Sequence, residues 1–298
     1  MSILAIGISV YDTTIVLNDP LIIDNKHRVG DIYENTGGQA TNAACVCSKF
    51  GIPTYMISRI GKDVYGKHIL DTFHAFNIDT SYMLVLDDYK TSCSIILNHT
   101  DIGKRTILNY QDIKKDVPFD LPSNIQFLIL DAHEEEIGLK ALHTYKNIPS
   151  MLDAERVNDL TLKYAKEVDY LVCSEKFACD YTKLDCIPSN YEDIISKIKE
   201  LNHKQVVVTL GENGLIYDYN GEIKHMKAYP NVVVDSTGAG DIFHGALAYA
   251  LHENYNFEDA LYFATITASL SITKKGSCTS IPSLLEVLTI YNKKRGEI

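Results

Sequence analysis

A chain of 298 residues, 46% of them hydrophobic, can bury a sizeable core, so a folded protein is expected rather than a disordered one. Its formal net charge of −11 is broken by no long Lys/Arg run and would repel polyanions, which excludes nucleic acid as a first-choice partner. No apolar run approaches the ~18 residues of a membrane span, no leader pattern precedes residue 3, and the seven cysteines lack zinc spacing, so a cytoplasmic protein with reduced thiols and no membrane contact is expected.

Residues 4–9 form a short apolar run and read as the first strand. Just beyond it stands Asp12, which when ionised can take two hydroxyl donors. Residues 13–35 then break the pattern. Thr36-Gly37-Gly38-Gln39-Ala40-Thr41-Asn42 is a glycine turn opening a helix over 39–50; its small residues permit close approach of a polyol, and Asn42 can both donate to and accept from vicinal hydroxyls. Taken singly, an Asp or Asn in a loop is more often a turn-former.

A strand over 54–60 leads into Gly61-Lys62-Asp63-Val64-Tyr65-Gly66-Lys67-His68, one position off a P-loop. A true P-loop ends in a Ser or Thr hydroxyl for magnesium, whereas His68 brings an imidazole that suits this hard cation poorly. A helix over 65–76 follows. Residues 91–110 then read as two β-like runs around a turn at Thr100-Asp101-Ile102-Gly103 and could join residues 13–35 in a separate small sheet. A strand over 127–131 precedes His133-Glu134-Glu135-Glu136, read as a solvated first turn stabilised by the helix dipole rather than as a metal site.

Strands over 170–173 and 205–210 flank a helix over 191–201, and Asn220-Gly221 marks a hairpin. Residues 232–235, Val-Val-Val-Asp, read as a further strand running through Ser236-Thr237-Gly238-Ala239-Gly240-Asp241 into an apolar helix over 239–252, with helices over 257–273 and 284–293 after it. Here the chemical signal is sharpest. The first N–H groups of a helix lack intrahelical partners, so Gly238, Ala239 and Gly240 can surround phosphate charge. The same field is expected to keep Asp241 ionised and ready to accept a proton from a hydroxyl. A plainer reading makes the turn a device for close strand–helix packing, with Asp241 as a helix-start residue. The order of elements is α/β with a mostly parallel sheet, and no repeat or linker divides it, so one domain over 1–298 is expected.

These residues resemble a known family, the PfkB or ribokinase-like carbohydrate kinases. Gly37-Gly38, Ala40, Asn42, Ala44, Gly51 and Gly61 match its amino-terminal signature, and residues 235–248 match its carboxy-terminal one. Gly7, Asp12, the stretch from Thr209 to Gly214 and Lys275-Gly276 extend the resemblance over nearly the whole chain. It implies a three-layer α/β/α fold with a small β-sheet lid, made here of residues 13–35 and 91–110, over a bound sugar and often at a homodimer interface. By position, Asp241 becomes the general base and Gly238, Ala239 and Gly240 the anion hole. Asp12, Gly38 and Asn42 become sugar contacts, and Thr209, Gly211, Gly214 and Gly276 lie near ATP. Asp235 and Thr237 fall where many members bind a monovalent cation, usually K+, and Mg2+ accompanies the nucleotide.

Ser174-Glu175-Lys176-Phe177 stands where many relatives carry Asn-x-x-Glu, so Glu175 is either a magnesium contact through water or a surface carboxylate. Some ketose-phosphorylating branches look similar here, which favours a ketose. Thr265 stands where several relatives place Asn or His near adenine. Arg105 in the lid either meets a charged substituent of the substrate or is solvated. The expected activity is ATP-dependent phosphorylation of a primary hydroxyl of a small sugar. Two alternatives stand beside it: a nucleoside kinase of the same family, and a non-catalytic sugar- or nucleotide-binding relative, against which the intact Asp241 argues.

Overall fold

Apolar strands separated by amphipathic helices can satisfy both faces of a sheet only by laying helices on each, and this chain does so. The computed structural model describes residues 2–99, 104–114 and 116–295; the turn expected at Thr100-Asp101-Ile102-Gly103 lies outside the described residues. The strands are β1 (Ile3–Ile6), β2 (Val10–Leu17), β3 (Asp31–Gly37), β4 (Thr54–Ile57), β5 (Arg59–Gly61), β6 (Leu84–Leu86), β7 (Cys93–His99), β8 (Lys104–Tyr110), β9 (Phe127–Asp131), β10 (Ser150–Ala154), β11 (Tyr170–Ser174), β12 (Gln205–Thr209), β13 (Leu215–Tyr219) and β14 (Glu222–Met226). The α-helices are α1 (Gln39–Lys49), α2 (Val64–Ala75), α3 (Glu135–Thr144), α4 (Asp159–Ala165), α5 (Glu175–Thr182), α6 (Tyr191–Leu201), α7 (Ala239–His252), α8 (Phe257–Ser271) and α9 (Leu284–Arg295).

The main sheet has the order β14-β13-β12-β11-β10-β9-β1-β4 and is parallel from β12 to β4. The β13–β14 hairpin closes its other edge antiparallel through Asn220 and Gly221, both at positive φ as a tight hairpin turn demands. Each strand residue points opposite to its neighbour, so β1 feeds two cores. Ile3 and Ala5 join residues of α1, α7 and α8, whereas Leu4 and Ile6 join residues of α3, α4, α5 and α6. Helices α1 and α7 approach so closely that a Cβ on Gly245 would lie 2.6 Å from the Ala43 carbonyl oxygen. This contact sets the two glycine turns, each at the amino end of one of these helices, side by side.

The segments that interrupt the alternation make a second sheet of order β3-β2-β7-β8. Period two puts Asp12, Ser94, Ile96, Arg105, Ile107 and Asn109 on its inner face, all of them lining one cavity. Its outer face carries Ile95 and Leu108, directly opposite each other and 43% and 54% exposed.

Several elements depart from the sequence reading. Residues 232–235 form no strand: their three valines are 76%, 63% and 56% exposed, and the N–H groups of Val234 and Asp235 both reach the Ile272 carbonyl at the end of α8. β-branched residues favour a strand only where they pair in a ladder, and here the N–H groups of residues 234 and 235 are committed to the end of α8 instead. The run over 54–60 breaks at Ser58, after which β5 leaves the main sheet and pairs with β6. Strand β10 and helices α4 and α5 have no counterpart in the sequence reading, and of α3 only the charged first turn does; β10 is five residues long and wholly buried, with Ser150 and Asp153 interrupting its apolar run.

Candidate active site

A cavity of about 570 Å³ opens at the carboxyl ends of the parallel strands, beneath the inner face of the small sheet. Asp241 sits on the first turn of α7 and Asn42 on the first turn of α1. Asn42 is buried, and its Nδ2 donates to Asp241 Oδ2 at 2.6 Å. Gly38, at φ 110°, opens α1; a Cβ there would lie 2.2 Å from the Ile8 carbonyl oxygen, so no larger residue fits. Gly238 opens α7 in the left-handed region at φ 73°. Next to it, a Cβ on Gly240 would meet nothing within 4 Å, which leaves the backbone open for close approach by a ligand. Asp12, Gly38, Asn42, Arg105, Thr237 and the turn from Gly238 to Asp241 all line the same cavity.

Electrostatics at Asp241 differ from the sequence reading. Burial raises its pKa to about 7, and Asp153 and Glu155 push the same way, against the Asn42 amide and His244. The field of the helix start, which favours the carboxylate, is thus outweighed by low solvation and neighbouring acids. Asp12 is likewise raised by burial, to about 6, with the Ser94 hydroxyl pulling it back. Asp153 is pushed well above the usual carboxylate range, first by burial and then by Asp131 and Glu155. His244, beneath the turn, has Nδ1 2.7 Å from the Gly240 carbonyl oxygen and 3.3 Å from Asp153 Oδ2.

Asp131 anchors the wall. Its Oδ2 accepts from the N–H groups of Ile8 and Ala40, and its Oδ1 lies 3.0 Å from His133 Nδ1. Burial opposes a charge on His133, but the Asp131 carboxylate prevails and raises its pKa. His133 lines the cavity and Glu134 is buried in an ion pair with Arg59, so the reading of residues 133–136 as a solvated turn holds only for the exposed Glu135 and Glu136. Asp131 and Asp153 each follow an apolar run, Leu128-Ile129-Leu130 and Met151-Leu152, at the carboxyl end of a parallel strand. An acid in that position is the signal that could have found them.

The sequence pattern of the pfkB family carbohydrate kinases matches residues 2–284. The chain belongs to that family. It is 29% identical to ribokinase of Dictyostelium discoideum, over 96% of this chain and 99% of that protein. Ribokinase of Bacillus subtilis strain 168 is 28% identical, over 89% of this chain and 92% of its own. Among solved structures, Arabidopsis thaliana ribokinase complexed with ribose and ATP superposes with a TM-score of 0.85 at 24% identity, over 97% of this chain and 98% of that one. Thermotoga maritima ribokinase superposes with a TM-score of 0.83 at 25% identity, over 98% and 99%.

This PfkB chain is accordingly an ATP-dependent carbohydrate kinase with a mostly parallel central sheet and a smaller second sheet. Its remaining candidate residues divide into two sets. Thr209 lines the cavity at the end of β12, and Arg105 reaches across from the small sheet to donate from Nη1 to Thr237 Oγ1 at 3.0 Å. Asp235 clasps two loops, accepting from Thr237 N at Oδ1 and from Gly276 N at Oδ2, both at 2.9 Å. The Tyr33 hydroxyl also interacts with this carboxylate, whose remaining lone-pair capacity is compatible with a hard monovalent cation. By contrast Gly211, Gly214, Gly276 and Glu175 are not part of the cavity lining. Glu175 is exposed on α5, while its neighbour Ser174 faces the cavity and caps that helix, accepting from Phe177 N. Gly214, at φ 88°, serves the backbone, since a Cβ there would lie 2.0 Å from the Met226 carbonyl oxygen. The P-loop lookalike is a capped helix start: Asp63 accepts from Gly66 N, and the Thr91 N–H and hydroxyl also donate to it. Its own carboxylate fills the place an anion would take. Among the described residues no helix is long and apolar enough to cross a membrane.

Proposed function

We propose that this chain transfers the γ-phosphoryl group of ATP to a primary hydroxyl of a small ketose or pentose, with Asp241 as general base. One observation carries the reading: the starts of α1 and α7 meet at the 2.6 Å bond between Asn42 and Asp241, inside a cavity that also holds Asp12 and the open backbone at Gly240. A hydroxyl lying beside the Asn42–Asp241 pair accepts from the second amide N–H and donates to the carboxylate, and it becomes nucleophilic as the proton leaves. Asp12 takes donors from other hydroxyls of the sugar, and Gly38 lets its carbon skeleton lie against the backbone. Gly238, Ala239 and Gly240 receive the charge that develops on the transferring group.

ATP-dependent phosphorylation of a sugar or a nucleoside is what the ribokinases and nucleoside kinases among the relatives support. Glu155, on the cavity rim, would help hold magnesium beside the nucleotide, and the ion would supply charge neutralisation. Glu175 and Gly211, Gly214 and Gly276 then belong to the nucleotide's surroundings, and Asp235 with Thr237 to a potassium site. The small sheet closes over the sugar and excludes water, which would otherwise compete as nucleophile, and its outer face pairs with a second copy of the chain. Ile96 and Ile107 on the inner face form an apolar wall that could take a nucleobase, so nucleosides are the second substrate class to test.

The test is a turnover screen of ribose, fructose, tagatose and nucleosides with ATP, followed by D241N on the accepted substrate. The expected result is a fall in kcat of at least about a thousandfold with ATP affinity changed less than threefold. Equal losses in both would make Asp241 a structural residue, and binding without turnover in the native protein would make the chain a sensor.

A further inference from the structure

We infer that Cys278 is a positioning residue, its thiol hydrogen fixing which end of the Asn42 amide faces Asp241. The inference rests on the proposed role of Asp241 as base. Cys278 lies in the short turn Cys278–Ser280 between α8 and α9, is 3% exposed, and contributes no group to the cavity wall. Its Sγ is 2.9 Å from Asn42 Oδ1, and Asn42 Nδ2 is 2.6 Å from Asp241 Oδ2. A carboxamide rotated by half a turn exchanges its donor for its acceptor, with little change in shape. What faces the base therefore depends on what holds the other end.

A thiol has a single hydrogen, and three acceptors surround this one. Asn42 Oδ1 at 2.9 Å is nearer than Cys45 Sγ at 3.3 Å or the Thr36 carbonyl at 3.5 Å. Cys45 carries its own hydrogen and can give it to the Cys278 sulfur lone pair, which frees the Cys278 hydrogen for Asn42. With Oδ1 engaged, Asn42 offers the cavity only N–H. One hydrogen goes to Asp241 and the second remains for an incoming hydroxyl oxygen. The nucleophile must then accept from Asn42 and donate to Asp241, the orientation that deprotonation requires.

A flipped amide would set Oδ1 against Asp241 Oδ2, repel the carboxylate and favour its protonated form. The charged and titratable groups facing Asp241 are Asp153 and Glu155, which already disfavour ionisation, and His244, which opposes them. Asn42 is the neutral donor in that balance, and Cys278 keeps it a donor.

Two substitutions separate hydrogen bonding from packing. C278V removes the donor and adds about a methylene of volume, a packing change that the thermal melts register, whereas C278S keeps a donor. Infrared difference spectra against D241N follow the Asp241 carboxyl through its titration without any need for turnover, and thermal melts check folding. The expected result is that C278V titrates Asp241 at higher pH, moves the acid limb of kcat/KM upward by the same amount and lowers kcat near neutrality roughly tenfold, a lost hydrogen bond's worth. C278S stays close to the native protein in all three. An unmoved Asp241 titration in C278V, or a displacement in C278S as large as in C278V, overturns the inference. If the titration moves while turnover does not, the relay stands and Asp241 is not the base.

Discussion

Asp241 feels two opposing fields: the dipole and open N–H groups of α7 favour its charge, while burial, Asp153 and Glu155 oppose it and raise its pKa to about 7. A base must be ionised to act, so kcat/KM for the sugar should fall about tenfold per pH unit below roughly 7 and level off above it. A profile flat down to pH 5 would remove Asp241 from that role. Linkage gives a second expectation with the opposite sign for stability. The unfolded carboxyl ionises near its ordinary value of 3.8 and the folded one about 7, so between them the charge favours the unfolded chain, and above 7 the full penalty persists. D241N should therefore melt higher than the native protein at pH 8, with the gap closing as the pH approaches 4. Differential scanning calorimetry at the two pH values decides this.

At the scale of elements, the site is an accident of two helix starts until α1 and α7 touch. Their contact depends on the absence of a side chain at Gly245, where a Cβ would press on the Ala43 carbonyl at 2.6 Å. Gly245→Ala should cost about 1–3 kcal/mol by overpacking and should also reduce kcat, because separating the helices stretches the Asn42–Asp241 bond. Chemical denaturation and steady-state kinetics measure the two losses; a stability loss with untouched kcat would show that the helices move as one body. Both helix starts were legible, because glycines followed by a polar residue and an apolar helix form a local pattern. Residues 232–235 were misread for the same reason: the pattern is local, whereas a strand needs a partner strand, and their backbone pairs with the end of α8.

For the molecule as a whole, the small sheet is a two-faced plate. Its inner face carries Asp12, Ser94 and Arg105 toward the cavity, and its outer face exposes Ile95 opposite Leu108. This apolar cross-strand pair, left in water, is what the proposed second copy would cover. Replacing both residues by Glu should convert a dimer to a monomer in sedimentation and raise the sugar KM more than the ATP KM. A native protein that sediments as a monomer would refute the pairing. Residues 13–35 and 91–110 could be grouped from sequence because neither fits the α/β alternation. Their pairing across some 80 positions, with β2 parallel to β7, was beyond any local signal.

What the sequence by itself determined was local: the glycine turns, the helices they open, the acid that follows the second turn, the Asn220-Gly221 hairpin and the family these features resemble. Backbone conformation and helix initiation depend on a few consecutive residues, so they can be read in order along the chain. Tertiary structure alone decided the rest. It gathered Asp153, Glu155, His133 and His244 around the cavity with Asp131 behind His133, moved Asp241 toward neutrality, left Glu175 outside and set Cys278 behind Asn42. Solvation and hydrogen bonding between residues some 90 to 240 positions apart are properties of packed surfaces, and no stretch of sequence contains them.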